Sequence, residues 1–435
     1  MFFYYLKLAW LALKKHRNLS LLMIVAIGLG LGAAMTAMTV LNRFSGNPIP
    51  HKNDVLYAVQ LDSWSPDNPY DEDGNAPDQL TYKDAVYLME NAPVERHTPM
   101  FKTGMAVQPT RAELAPSNQV MRATGADFFA MFDVPFAAGG PWTDADDATR
   151  ARVVVLSDRL AKTLFGEEDA VGKTVTLNDE PFRVTGVLKP WRPLPKFFDV
   201  TNGALNTMEA AYLPFTTAID KNLDSWGNNN CFSNPGEGRA AYLQSDCIWI
   251  QYWAELPDAA AVASTLNFMN SYADAQQKLG RFPRNRNNHL RRVDDWLVNQ
   301  DVVPSDTRVF AGVGFGFLLV CLINAVGLML AKFLRRTSEL AVRRALGASR
   351  RALFAQHLTE AGLIGMLGGL LGLLVTWAGL QGVRALSPSL EHLADLNTAM
   401  FGLLLVLAIG GTLIAGIYPA LRACLVQPAA NLKSN

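Results

Sequence analysis

The stretch LSLLMIVAIGLGLGAAMTAMTVL, residues 19–41, carries no charged side chain. A bilayer core about 30 Å thick needs about 20 apolar residues in an α-helix. Three more stretches meet that requirement without a charge: 309–331, 361–383 and 398–421. One charge at the centre of a span costs about 2.5–3.5 kcal/mol on insertion scales. Four uncharged runs of this length therefore predict four transmembrane helices rather than core helices of a soluble protein. The competing reading of the first run is a signal peptide. Its apolar stretch is longer than an h-region of about 7–15 residues, and no small-x-small site follows before Asn42 and Arg43. A retained anchor is expected.

Lysine and arginine flanking the spans set the direction of threading. Lys7, Lys14, Lys15 and Arg17 precede the first span. Lys332, Arg335, Arg336, Arg343, Arg344, Arg350 and Arg351 lie between the second and third, and Arg422 and Lys433 follow the fourth. The loop between the third and fourth holds only Arg384, with Glu391 and Asp395. Both termini and the 335–351 loop are thus expected in the cytoplasm, and 43–307 and 384–397 outside. The expected class is a four-helix membrane α protein with a large α+β periplasmic domain inserted between helices 1 and 2. Its predicted segments are 1–18 (cytoplasmic), 19–42, 43–307, 308–334, 335–351, 352–383, 384–397, 398–422 and 423–435 (cytoplasmic tail). The apolar, aromatic segment 2–13 reads as a helix at the membrane surface or as an extension of the first span.

Lys plus Arg and Asp plus Glu number 39 each, so no net charge points to nucleic acid as a partner. Glycine pairs at helix-packing spacing, Gly28 with Gly32, Gly312 with Gly316 and Gly365 with Gly369, predict a packed helix bundle in lipid, one that can include a second subunit.

The outer section reads as mixed. Strands are expected over 55–61, 152–156 and 247–256, and helices over Tyr82–Asn91, Asp158–Phe165 (capped by Ser157) and 258–279. Thr174–Leu177 and 182–188 form a hairpin turning at Asn178 and Asp179. Residues 43–189 and 257–307 are read as a core, with 190–256, rich in Asn, Gly, Pro and aromatics, as a variable subdomain inserted into it or flanking it. Cys231 and Cys247 fall in it. An oxidising compartment permits a disulfide between them; two free thiols are the alternative.

Catalytic chemistry is not apparent. Gly166-Glu-Glu-Asp-Ala-Val-Gly172-Lys173-Thr174 resembles a phosphate loop, but it has five residues between the glycines where the pattern needs four, and three are acidic. The six histidines show no metal-ligand spacing, and Asp144, Asp146 and Asp147 lack that of a calcium loop. No metal, no directly bound cofactor and no enzymatic activity are expected.

The loop Arg335-Arg-Thr-Ser-Glu-Leu-Ala-Val-Arg-Arg-Ala-Leu-Gly-Ala-Ser349 reads differently. Ser338 can cap a short helix, Glu339 suits its first turn, and Glu339 and Arg343 pair at i,i+4. Val342, Ala345 and Leu346 form an apolar face, with Arg343 and Arg344 beside it, and Gly347 stops the helix. A docking surface for a cytoplasmic partner is expected; the alternative is a basic loop that only obeys the charge rule. Glu360, at the cytoplasmic edge of the third span with His357 one turn earlier, is either a paired functional carboxylate, with Arg351 as a candidate partner, or one in water.

These features together resemble the MacB/FtsX-like permeases of the type VII ABC transporter group. The resemblance is carried by Phe128-Phe-Ala-Met-Phe-Asp-Val-Pro-Phe-Ala-Ala-Gly-Gly, Leu160-Ala-Lys-Thr-Leu-Phe-Gly and Val171-Gly-Lys-Thr-Val in the outer domain. It continues through Ser338-Glu-Leu-Ala-Val-Arg-Arg-Ala-Leu-Gly-Ala-Ser, Leu358-Thr-Glu-Ala with Leu367-Gly-Gly-Leu-Leu-Gly, and Gly416-Ile-Tyr-Pro-Ala-Leu-Arg-Ala with Gln427-Pro-Ala-Ala-Asn-Leu. It implies a bacterial inner-membrane permease whose coupling helix, at 338–347, receives motion from ABC ATPase subunits that bind ATP. MacB carries its ATPase on the same chain ahead of the first span; residues 1–18 are all that precede the span here, so the ATPases are expected on separate chains. The resemblance also implies a second permease chain, a periplasmic adaptor and an outer-membrane channel as partners, and membrane lipid around the spans. The expected function is mechanotransmission on a periplasmic substrate such as a peptide, antibiotic, toxin or siderophore. FtsX-like signalling to a cell-wall hydrolase and Lol-like lipoprotein extraction are the alternatives.

Overall fold

The computed structural model describes residues 2–109, 115–284, 287–302, 305–386 and 398–424. The chain divides into two compact units, Met1–Phe44 with Val303–Asn435, and Ser45–Val302. Most of the expected outer loop 384–397 and of the tail 423–435 lies outside the described residues.

In chain order the elements begin with α1 (Phe2–Lys15) and α2 (Arg17–Ser45). There follow β1 (Leu56–Gln60), β2 (Leu80–Thr81), α3 (Tyr82–Asn91), β3 (Arg96–Gln108), β4 (Ser117–Thr124), α4 (Phe128–Met131), β5 (Phe136–Gly139) and α5 (Asp144–Ala148). Next come β6 (Val153–Leu156), α6 (Asp158–Phe165), β7 (Thr174–Leu177), β8 (Glu180–Leu188), β9 (Ala211–Pro214), α7 (Phe215–Asp220), α8 (Gly238–Gln244) and β10 (Ile248–Glu255). The domain closes with α9 (Ala259–Lys278), β11 (His289–Arg292) and α10 (Val293–Asn299). Four helices complete the chain: α11 (Ser305–Leu334), α12 (Thr337–Ala345), α13 (Arg350–Leu386) and α14 (Thr398–Cys424).

Local sequence explains most of these elements. Ser157 accepts the Leu160 N–H at 3.2 Å and starts α6, and Asp258 caps α9 by accepting from Ala261 at 2.8 Å. Asn178 and Asp179 take positive φ between β7 and β8, the backbone that a tight hairpin turn requires. The strands join one mixed sheet ordered β11-β1-β10-β3-β4-β9-β6-β8-β5, with β2 on β10 and β7 bridging β3 and β8. Pairing is antiparallel except at β4–β9 and β6–β8.

Side chains alternate across this sheet. Val59, Val154, Leu156, Leu213 and Ala254 enter one apolar core with Phe101, Phe182 and Trp249. Ala58, Val153, Val155, Tyr212 and Trp253 enter a second core on the other face with Phe128, Phe132, Phe197 and Phe198. Both faces are covered, so central strands read as continuous apolar runs.

The segment 190–256, expected as an inserted or flanking subdomain, shares the sheet of the core. That segment supplies β9 and β10, which pair with β4, β6, β1, β2 and β3. Its Asn- and Gly-rich parts are loops between strands of the same sheet. A fully buried ion cluster pins the 196–209 loop down. Arg122 of β4 donates from Nη2 to Glu209 Oε1 at 2.5 Å and pairs with Asp199. Lys196 reaches Glu209 Oε1 at 2.6 Å and Asp199 Oδ2 at 3.1 Å. Cys231 and Cys247 are joined in a disulfide that ties the neighbouring loop to the start of β10.

Four of the helices, α2, α11, α13 and α14, are long and apolar enough to cross a membrane. Their glycines sort by contact. A Cβ on Gly28 would lie 2.8 Å from Leu371, and one on Gly32 2.3 Å from Val375, so α2 packs on α13 there. Gly369 sits equally close to Ala408 of α14. Among the described residues of this chain nothing lies within 4 Å of a Cβ built on Gly312 or Gly316, and the α11 glycine that meets α2 is Gly314, against Ala34 and Ala37.

Candidate functional site

Two residues, Arg335 and Arg336, separate α11 from α12. The Arg336 carbonyl accepts the Leu340 N–H at 3.0 Å, so the helix starts at Thr337. Ser338 is therefore inside the first turn and is not the cap. Glu339 organises the turn instead. Its Oε1 accepts from Arg336 Nη2 at 3.1 Å and from Arg343 Nη2 at 3.0 Å, and its Oε2 faces Lys15 Nζ at 3.4 Å. The hydrogen bond from Arg336, with the charges of Arg336, Lys15 and Arg343 around it, holds the carboxyl down to about 2.

Gly347 takes φ +99°, a backbone that a side chain would oppose, and its N–H returns to the Arg344 carbonyl at 3.1 Å. Ser349 then caps α13, accepting from Ala352 N–H at 3.2 Å.

One side of α12 is anchored. Leu340 is buried with Leu13, Phe333, Leu353 and Cys424. Arg343 Nη1 donates to Gln356 of α13 at 3.1 Å, and Arg344 Nη1 reaches the Cys424 carbonyl of α14 at 3.4 Å. The other side is open: Val342 is 48% exposed and Leu346 83%, with Ala345 also exposed. A short helix thus holds apolar side chains outward on a fixed base.

Glu360 is buried, and its partner is not Arg351. Its Oε1 lies 2.5 Å from Lys332 Nζ at the end of α11, and its Oε2 lies 3.6 Å from Arg336 Nη1. These are ion pairs by distance, without an aligned hydrogen bond to either oxygen. Lys332 also donates to Ser20 Oγ of α2 at 2.9 Å. His357 packs its ring 4.1 Å from that of Phe333. Lys332, Arg336 and Gln356 are site residues that sequence reading missed. In sequence the first two are ordinary flanking cations, and only the α11–α13 hairpin brings Glu360 to them.

Outside this unit, the residues weighed for other chemistry have local roles. Asp146 caps α5 with Thr143 in a reciprocal box. Asp147 accepts from Trp142 Nε1 at 3.0 Å and Ala126 N–H at 3.2 Å. Lys173 of the phosphate-loop look-alike pairs with Glu168 at 2.5 Å.

Four spans, a large domain inserted after the first and a basic helix between the second and third define a membrane permease of the ABC transporter class. A family model described as the MacB-like periplasmic core domain matches residues 20–269, and one described as FtsX-like permease C-terminal matches 311–428. The chain belongs to this family of MacB- and FtsX-like ABC transporter permeases, a membership that implies an ATPase partner.

Among its relatives is the uncharacterized ABC transporter permease YvrN of Bacillus subtilis, 24% identical over 71% of this chain and 68% of that protein. The macrolide export ATP-binding/permease protein MacB of Hahella chejuensis is 23% identical over 97% of this chain. The pyoverdine export ATP-binding/permease protein PvdT of Pseudomonas syringae pv. tomato is 23% identical over 71%. The chain spans 59% of that MacB and 42% of that PvdT. Among solved structures, the periplasmic region of MacB from Actinobacillus actinomycetemcomitans is similar at a TM-score of 0.37 and 17% identity, covering 59% of this chain and 96% of that one.

Proposed function

We propose that this chain is the non-catalytic permease subunit of an inner-membrane ABC transporter, moved by an ATPase on a separate chain. The observation that carries the reading is the exposed apolar face of α12, Val342, Ala345 and Leu346, on a helix tied to α1, α13 and α14 through Lys15, Gln356 and Cys424. Exposed leucine at a fixed, basic helix is a surface that a partner would cover, and the family supplies the ATPase as that partner. The cationic flanks support a cytoplasmic position for α12 and both termini, with the domain 45–302 outside.

The work done is mechanical. ATP-driven closure of two ATPases moves two α12 helices, and the spans carry that motion to the outer domains. The substrate is already periplasmic, of the peptide, antibiotic, toxin or siderophore kind, and passes to an adaptor and outer-membrane channel. The exposed α11 face with Gly312 and Gly316, open to 4 Å, is available to a second permease chain or to lipid.

The test uses the full chain purified with its ATPase from the native host. Val342→Asp with Leu346→Asp is expected to abolish co-purification of the ATPase, while the thermal unfolding midpoint stays within a few degrees of wild type. Undiminished co-purification would contradict the docking role.

A further inference from the structure

We infer that Glu360 is a positioning residue for coupling: its carboxylate clamps the cationic end of α11 and the start of α12, so that α12 moves the spans as one body. The inference rests on the permease reading above and adds the element that transmits the motion.

Glu360 belongs to α13, a continuous helix from Arg350 to Leu386. It is 1% exposed, and Lys332 beside it is 0% exposed. Each carboxylate oxygen faces a different cation: Oε1 lies 2.5 Å from Lys332 of α11, and Oε2 lies 3.6 Å from Arg336, the residue just before α12. Arg336 then forks onto Glu339 of α12, from Nη2 at 3.1 Å and Nε at 3.3 Å. Lys332 continues to Ser20 of α2 at 2.9 Å. One buried anion thus ties the ends of α11 and α12 to α13, and through Lys332 to α2.

Stability alone does not account for this arrangement. Removing two charges from water often costs more than their attraction returns, and apolar replacements of similar volume are commonly neutral or better. In some proteins a buried polar or ionic group fixes register between the elements it joins. Here those elements are three spans and the start of the docking helix. Only Arg335 and Arg336 link α11 to α12, and 346–349 link α12 to α13 around Gly347. Without the clamp, the start of α12 loses its tie to Glu360, while the Leu340, Arg343–Gln356 and Arg344–Cys424 contacts farther along it remain. Packed two-state elements transmit displacement only when their contacts move together.

The experiment compares wild type, Glu360→Gln, Glu360→Asp and the double replacement Lys332→Met with Glu360→Met. Each is studied as full chain with its ATPase from the native host, in lipid nanodiscs. Three quantities are read: unfolding midpoint, ATPase binding affinity and permease-stimulated ATP hydrolysis. The double replacement leaves no unpaired buried charge at this contact and guards against simple misfolding of Glu360→Gln. The expected result is binding within about twofold of wild type in every variant. Stimulation falls at least about fivefold in Glu360→Gln and in the double replacement, the lower end of allosteric coupling. Glu360→Asp recovers part of it. A double replacement with a wild-type midpoint and wild-type stimulation would overturn the inference, as would loss of ATPase binding in step with loss of stimulation. A wild-type chain that neither binds nor stimulates an ATPase overturns the permease reading and this inference with it.

Discussion

Gly365 of α13 lies so close to Thr412 of α14 that a Cβ on the glycine would fall 2.0 Å from the threonine Oγ1 and 2.8 Å from the Ala408 carbonyl oxygen. Thr412 cannot simply rotate away without losing the hydrogen bond it donates to that same carbonyl at 2.8 Å. Small residues at such crossings let backbones approach where lipid gives no hydrophobic drive.

Gly365→Val is therefore expected to force α13 and α14 apart, at a cost of about 1–3 kcal/mol from overpacking. Gly316→Val, on an open face, is expected to leave the isolated chain's unfolding midpoint unchanged. Thermal unfolding of the two variants in detergent checks the contrast, and equal losses would contradict the packing assigned to Gly365.

Arg122 is the centre of the buried cluster in the outer domain. Burial alone would raise the Glu209 carboxyl, but Arg122 and Lys196 override that and hold it at about 2. Arg122→Met leaves Asp199 and Glu209 with Lys196 as the remaining cation of the cluster, and is expected to cost about 3–5 kcal/mol, as for other broken buried pairs. Urea unfolding followed by tryptophan fluorescence measures it. Because the Glu209 value lies below its ordinary 4.5, its contribution is present above that pH and is lost as the pH falls toward about 2.

Asp147 has the opposite sign. Burial pushes its carboxyl up to about 6, despite bonds from Trp142, Ala126 and Thr216. The folded domain then binds a proton more readily than the unfolded chain, whose value is near 3.8. Its contribution to stability grows as the pH falls from about 6 to about 4, by roughly 2–3 kcal/mol. Asp147→Asn is expected to remove that slope while leaving the Glu209 limb at lower pH. Unfolding midpoints taken across the range would expose an unchanged slope, which would contradict the assignment.

Reducing the Cys231–Cys247 bridge releases the loop before β10. Closing a loop of about 15 residues is worth roughly 3 kcal/mol in the chain-entropy model. Cys231→Ser is expected to lower outer-domain stability by about 2–4 kcal/mol, with ATPase co-purification unchanged, since α12 belongs to the other unit. Urea unfolding with and without reductant is the check, and an identical midpoint in both would contradict it.

Much of this arrangement can be read from local sequence. Uncharged length specifies the four spans, and caps such as Ser157, Asp258 and Ser349 act within three residues of themselves. The docking helix is legible for the same reason, because the Glu339–Arg343 pair and the Gly347 stop are local. What fails depends on distance along the chain. β10 is a central strand only because β1 and β3 flank it, some 150 to 200 residues earlier. Its neighbourhood of Asn, Gly and Pro therefore reads as an inserted or flanking subdomain. β3 is covered on both faces, with Met100 in one core and Phe101 in the other, so it lacks the alternation that marks a strand. Arg122 finds Asp199 and Glu209, and Glu360 finds Lys332, across folds that no short window contains. The Ser338 cap misses by two positions, because Arg336 takes the N-cap place without a side-chain acceptor, which is favoured there but not required.

The account depends most directly on α12 and the outer domain lying on opposite sides of the bilayer. With Cys321 and Cys424 replaced by Ala, single cysteines at Ala345 and at Arg150 in the full chain, probed with a membrane-impermeant maleimide on intact spheroplasts, test it. The account predicts that residue 150 labels at once and residue 345 only after the membrane is opened. Immediate labelling at 345, or protection at 150 until lysis, would contradict it.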